Sequence, residues 1–98
     1  MEYIYEENRI YSKDEEGLLL AEVTFPSRDS SRVDVNHVYV DPSLRGQGVA
    51  GDLMLKAYEY IKGKDLLIVA KCPYAIAWFK KHEEYQDIVI NVKTKKIQ

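Results

Sequence analysis

The segment from Asp34 to Leu53 constrains this chain most: an apolar alternation runs into a glycine-punctuated basic turn, and a helix-periodic stretch follows. Val33, Val35, Val38 and Val40 mark the extended part, which Asp41-Pro42 ends. The turn is Arg45-Gly46-Gln47-Gly48-Val49-Ala50-Gly51, and apolar residues then recur at helical spacing as far as Lys62. Strand, glycine turn and helix N-terminus, in that order, build an anion site. Glycines lack the Cβ atoms that would hold a phosphate away from main-chain N–H groups. First-turn amides have no partners within a helix, and its dipole favours negative charge there. Arg45 adds a permanent cation. The turn is expected to hold a phosphorylated ligand, a pyrophosphate above all.

Other phosphate motifs fit less well. A nucleotide P-loop needs a lysine and a hydroxyl residue after its last glycine, whereas Gly51 is followed by Asp52 and Leu53. Gly46, Gly48 and Gly51 match the dinucleotide fingerprint literally, with Asp65 as a candidate ribose acid. A chain of 98 residues is nevertheless too short for a doubly wound sheet around them.

That length allows one domain, residues 1–98, around a single core. Hydrophobic residues at 46% favour a globular fold, and 31% charged residues argue for solubility. A net charge of −2 gives no bulk attraction to nucleic acid or to an anionic membrane. No apolar run approaches the ~20 residues that span a bilayer, and Met1–Arg9 has no signal-peptide core. Cys72 is the single cysteine, so no internal disulfide forms and a reducing cytoplasm fits. His37 and His82 lie far apart and no Cys/His cluster has ligand spacing, so no metal is expected.

The patterning predicts an α+β chain with α/β character. Tyr3 to Ser12 reads as an extended edge strand interrupted near Glu7-Asn8, and Asp14-Glu15-Glu16-Gly17 turns it onto Leu18–Phe25. Leu19, Ala21, Val23 and Phe25 share a face of that strand. A polar loop from Pro26 to Ser31 leads to a third strand, Val33–Val40, whose strict alternation would place Val33, Val35, His37 and Tyr39 on one face. A helix over Gly48–Lys62 should bury Ala50, Met54, Ala57 and Ile61, with Gly63 just past its end. Leu66–Ala70 reads as a buried strand parallel to the third, reached by a right-handed crossover. Pro73 opens a second helix through Lys81, Ile88–Val92 reads as a last strand, and Lys93-Thr94-Lys95-Lys96 as a frayed end. The sum is a mixed, mostly antiparallel sheet with a parallel βαβ crossover and two helices.

Two blocks carry a family resemblance. Arg45-x-x-Gly48-x-Ala50 resembles the [QR]-x-x-G-x-[GA] signature of the GNAT superfamily of acyl-CoA-dependent N-acetyltransferases, and Val38-Tyr39-Val40-Asp41-Pro42 resembles the strand exit before it. Cys72-Pro73-Tyr74, followed by Trp78-Phe79-Lys80-Lys81-His82-Glu83-Glu84-Tyr85, is similar to a block of the short single-domain YjdJ-type group. The likeness covers roughly Asn8 to Val89. It implies a minimal GNAT fold, acetyl-CoA as co-substrate without a metal, and transfer to an amine on a protein or a small molecule.

The resemblance also implies roles for individual residues. Arg45, Gly46, Gln47, Gly48, Val49, Ala50 and Gly51 would cradle the coenzyme A pyrophosphate; the main chain of Val38, Tyr39 and Val40 would flank its pantetheine arm. Cys72 matches the group's active-site cysteine, and its place before Pro73 is a helix N-cap, where free amides favour a thiolate. It would accept the acyl group covalently or line the pocket; a lone cysteine also serves as a small buried hydrophobe. His37 stands where that group carries a histidine, either as a base or hydrogen-bonded within the sheet. Tyr74 is the candidate proton donor to the departing thiolate, because Phe79 occupies the usual tyrosine register. Trp78 and Phe79 read as core and His82 as a surface cation; Glu83 replaces a usual proline.

Longer GNAT members wall their acceptor pocket with added N-terminal helices, for which this chain has no room. An open acceptor site follows, and with it two alternatives to an enzyme: an acyl-CoA binding module with little turnover, or an interaction domain keeping only the fold.

Overall fold

The computed structural model of the chain describes residues 1–93. Its elements are strands β1 (Ile4–Glu6), β2 (Arg9–Lys13), β3 (Leu19–Thr24), β4 (Arg32–Val35) and β5 (His37–Val40), helix α1 (Val49–Gly63), strand β6 (Leu67–Ala70) and helix α2 (Pro73–Lys81). Four strands form an antiparallel sheet in the order β1-β2-β3-β5, while β4 and β6 make a separate parallel pair. The architecture is the expected α+β mixture. No helix among the described residues is long and apolar enough to cross a membrane.

Local chemistry explains the first two reversals. The interruption at Glu7-Asn8 is a two-residue hairpin, since Glu6 faces Arg9 across it. Asn8 pins the hairpin to the end of β3, donating from Nδ2 to the Phe25 carbonyl at 2.8 Å and accepting the Phe25 amide at 2.9 Å. Between β2 and β3 the Asp14 carboxylate accepts from the amides of Glu16 and Leu18, both at 2.9 Å, and Gly17 takes a φ of 89°. Ala21, Val23 and Phe25 point into the core, with Leu19 half-buried at the edge of that face.

The expected third strand is broken at Asn36. Its first half pairs with β6 and its second half with β3. Asn36 N–H donates to the Thr24 carbonyl at 3.3 Å, although Thr24 is already the partner of His37, so two residues oppose one as in a β-bulge. The extra residue inverts the alternation. Val38 and Val40 now share the core face with Val23 and Ala21, while His37 and Tyr39 turn to the opposite face with Thr24 and Glu22. The sequence expectation that His37 and Tyr39 follow Val33 and Val35 is therefore corrected.

Helix α1 covers the core face of β3 and β5 with Leu53, Met54, Ala57, Tyr58 and Ile61. Ala50 is only half-buried, because the core-facing stripe begins one turn later at Leu53. Gly63 is the last helical residue rather than the residue beyond it; the left-handed conformation falls on Asp65, at φ 59°. Helix α2 matches its expected bounds, with Phe79 completely buried.

Ile88–Val92 does not form the expected strand. Only Val89 bridges to Ile68, with the Ile88 carbonyl and Ile90 amide bonding Ile68 on either side. The Asn91 side chain then substitutes for main chain, accepting from Ala70 N–H at 2.9 Å and donating to its carbonyl at 2.8 Å. Of the expected frayed end, Thr94 to Lys96 lie outside the described residues.

Candidate functional site

The glycine turn is built from Asp41 onward. Asp41 caps a short 3₁₀ turn over Pro42–Leu44, and the hydroxyl and then the amide of Ser43 hold its carboxyl below the usual range. Gly46 and Gly48 follow with φ of 81° and 77°, conformations that side chains other than glycine rarely take. A Cβ placed on either would meet nothing within 4 Å, so packing does not demand glycine at these two positions. Gly51 differs: its Cβ would lie 3.5 Å from Trp78 Nε1, in ordinary contact with α2.

No acceptor among the described residues takes the main-chain N–H of residues 46–51; the first helical bond runs from Asp52 N–H to the Gly48 carbonyl. These residues, Gln47 apart, border a cavity of about 240 Å³ also lined by Val40, Arg45 and Tyr74, among others. Asp52, the acidic residue in the first turn of α1, accepts the Tyr3 hydroxyl at 3.0 Å. The arrangement suits an anion.

One edge of β5 leads into this cavity. Asp41 N–H donates to the Leu20 carbonyl at 2.8 Å, and bonded and non-bonded pairs alternate along an antiparallel ladder. Tyr39 and His37 thus turn their main-chain groups to β3, whereas Val38 and Val40 present theirs to the edge opposite β3. Arg45 Nε already reaches the Val40 carbonyl at 3.4 Å. Tyr39 is not brought to the cavity: its hydroxyl donates to Asp41 on the far face, at 3.3 Å. The edge ends in a fork, because the Val35 carbonyl takes both Lys71 N–H (2.9 Å) and Cys72 N–H (3.2 Å), and past Val35 the chain crosses to β3.

Cys72 sits at that fork as the N-cap of α2, its Sγ accepting Ala75 N–H at 3.3 Å. Tyr74 lines the cavity, and partial burial, followed by the charge of a Cys72 thiolate, raises its phenol above the ordinary range. Tyr74 consequently holds its proton at neutral pH. Phe79 faces the core and not the cavity. His37 is half-exposed on the other side of the sheet, with Nε2 3.2 Å from Glu22 Oε1.

Four residues read from sequence as core or surface, or passed over, line a second cavity of about 370 Å³: Ala77, Trp78, Lys81 and His82, beside Gly48, Gly51 and Tyr74. His82 stacks on Trp78 at 4.2 Å between centroids, and its Nδ1 donates to the Trp78 carbonyl at 2.7 Å. The signal was available, since positions 74, 77, 78, 81 and 82 form one face of a helix. Among the described residues no group of three His, Cys, Asp or Glu is placed to hold a metal ion.

Known proteins share this layout. The model of the family described as GCN5-related N-acetyl-transferase matches residues 9–88. The solution structure of a GCN5-like protein from Staphylococcus aureus superposes with a TM-score of 0.75 at 31% identity, over 94% of this chain and 90% of that one. A ribosomal-protein-alanine N-acetyltransferase from Brucella melitensis gives 0.53 at 20% identity, over 92% and 69% of the two chains, and so is similar in fold alone. No curated protein matches.

Proposed function

Because this chain belongs to the GCN5-related N-acetyltransferase family, we propose that residues 1–98 form one domain that moves the acetyl group of acetyl-CoA to an amine. The observation that carries this reading is the row of N–H groups over residues 46–51 without a protein acceptor, in a turn whose three glycines border a cavity. The pyrophosphate sits there beside Arg45, at the N-terminus of a 15-residue helix. The pantetheine arm follows the β5 edge, where Val38 and Val40 offer main-chain partners to its two amides. Its thioester then reaches the fork at Cys72. The run from Val40 back to His37, three steps of ~3.3 Å each, gives such an arm ~10 Å of strand edge to follow.

Tyr74, protonated at neutral pH, supplies a proton to the CoA sulfur as the C–S bond breaks. Cys72 lines the fork, and the short block Cys72-Pro73-Tyr74 supports a place with the YjdJ-type group. The amine arrives from the uncovered face of the sheet, where no helix among the described residues walls off a small-molecule pocket; a protein or peptide amine suits so open an approach.

Calorimetric titration with acetyl-CoA tests the core of this reading, and undetectable binding would remove it. Arg45→Glu reverses a charge beside the phosphates. At ~1 kcal/mol per charge pair at 4 Å in water, affinity should fall about tenfold to thirtyfold. If Cys72→Ala leaves both turnover and acetyl labelling of the protein unchanged, Cys72 takes no part in transfer. A second reading, binding without turnover, is favoured by the bare outer face of the sheet; tight acetyl-CoA binding with no acetylated product from any amine would select it.

A further inference from the structure

We propose that Glu22 is a positioning residue for His37, and that the pair, steadied by Arg9, prepares a proton acceptor on the side of the sheet from which the amine comes. The inference rests on the acetyl-transfer reading above and assigns the acceptor side of that same site. Its basis is the bulge at Asn36, which turns His37 to the face opposite α1.

Three neighbouring strands contribute one residue each to that face. His37 on β5 is paired with Thr24, Glu22 on β3 lies diagonal to it, and Arg9 on β2 faces Thr24 from the other side. Arg9 Nε donates to Glu22 Oε2, and Arg9 Nη1 also lies 3.6 Å from Glu6. The other oxygen of Glu22, Oε1, is 3.2 Å from His37 Nε2. Tyr39, the next residue on this face of β5, is bonded to Asp41 and not to the imidazole. Glu22 is largely buried, its side chain 15% exposed, whereas that of His37 is 49% exposed. A buried carboxylate thus holds an accessible ring.

The consequence is a defined tautomer. A carboxylate oxygen only accepts, so the neutral imidazole carries its proton on Nε2 and keeps the Nδ1 lone pair free. His37 stands two residues beyond Val35, whose carbonyl makes the fork, and on this reading the thioester would lie between it and Cys72. The amine nitrogen then attacks the acetyl carbon from the His37 side. Its proton passes to Nδ1, the C–N bond forms, the C–S pair leaves with sulfur, and sulfur takes a proton from Tyr74; the imidazolium and the phenolate return to neutrality through solvent.

Glu22→Gln is the decisive variant because it is isosteric. Arg9 claims the single amide oxygen, and the amide nitrogen is left facing the imidazole as a donor. His37 should invert to the Nδ1–H form, as replacing a carboxylate by its amide does in other carboxylate–histidine pairs. Nitrogen-15 imidazole spectra at pH ~8.5, about two units above the reference imidazole value, read this directly. Wild-type protein should contain one histidine of each tautomer, since His82 is held as Nδ1–H by the Trp78 carbonyl. The variant should contain two Nδ1–H rings. With a lysine-rich peptide as acceptor, kcat should drop about tenfold or more while KM for acetyl-CoA stays put. An unchanged His37 tautomer overturns the proposal, and so does inversion with unaltered kcat. Failure of the wild-type protein to bind acetyl-CoA would instead remove the underlying activity and leave the tautomer result standing.

Discussion

Phe79→Ala is expected to cost about 3–5 kcal/mol of unfolding free energy, the usual toll for truncating a buried phenylalanine. Phe79 has no exposed surface and packs among Ile61, Ile68 and the other core residues beneath α2. Trp78 meets it edge-on, with centroids 5.2 Å apart at 84°. The same residue anchors the chain after α2 through its carbonyl, which accepts the His82 amide at 3.2 Å and the Gln86 side-chain amide at 2.7 Å. A chain of 98 residues has roughly 5–15 kcal/mol of stability in all, so the variant should lose about a fifth of it or more. Urea unfolding should show a lower midpoint at an unaltered slope. Phe79→Leu, which keeps much of the volume, should cost less than half as much. Equal midpoints for Phe79→Ala and the parent protein would mean that α2 does not depend on this contact. The site would share in the loss, because α2 carries Tyr74 and Trp78 to the two cavities.

What could be read from the sequence was local. Glycines at Gly46 and Gly48 announce a turn because their φ values demand it, and Pro73 at the first helical position defines the start of α2. The anion cradle follows from those local preferences. The bulge at Asn36 was written in the pattern too, although strict alternation hides it. Valines stand at 33 and 35 and then at 38 and 40, so one extra residue separates the two pairs, and a change of face is the way to bury both. Assuming a single uninterrupted strand assigned His37 to the wrong side. Other misreadings are tertiary in origin. Ile88–Val92 has the composition of a strand, but only the short β6 is beside it, and Asn91 bonds Ala70 with a side chain that no periodicity describes. Trp78 is both core and cavity wall, 8% exposed, and apolar spacing alone does not separate those roles. The contacts joining Glu22 to Arg9 and His37 need three strands in register before they exist.

Gly48→Asn should separate the fold's need for glycine from the ligand's. Gly48 caps α1 in the left-handed region, at φ 77° and ψ 11°. Asparagine visits that region readily, while other side chains pay about 1–2 kcal/mol. A Cβ at this position meets no protein atom within 4 Å, so the variant should fold with less than about 1 kcal/mol of loss. Its side chain must nevertheless project into the space bordered by both cavities, for Gly48 lines each of them. There it would stand where a phosphate meets the N–H groups of the turn, and its own carbonyl oxygen would compete for them. Losing two charge-assisted hydrogen bonds at ~1.5–3 kcal/mol each, discounted for an open and hydrated site, predicts about a 100-fold drop in acetyl-CoA affinity, roughly 2.8 kcal/mol. Gly63→Ala is the control: that glycine has an ordinary helical conformation and free space around it, so affinity should be untouched and stability equal or slightly higher. Should Gly48→Asn bind acetyl-CoA as tightly as the parent protein, with Gly63→Ala behaving as expected, the diphosphate does not rest on this turn.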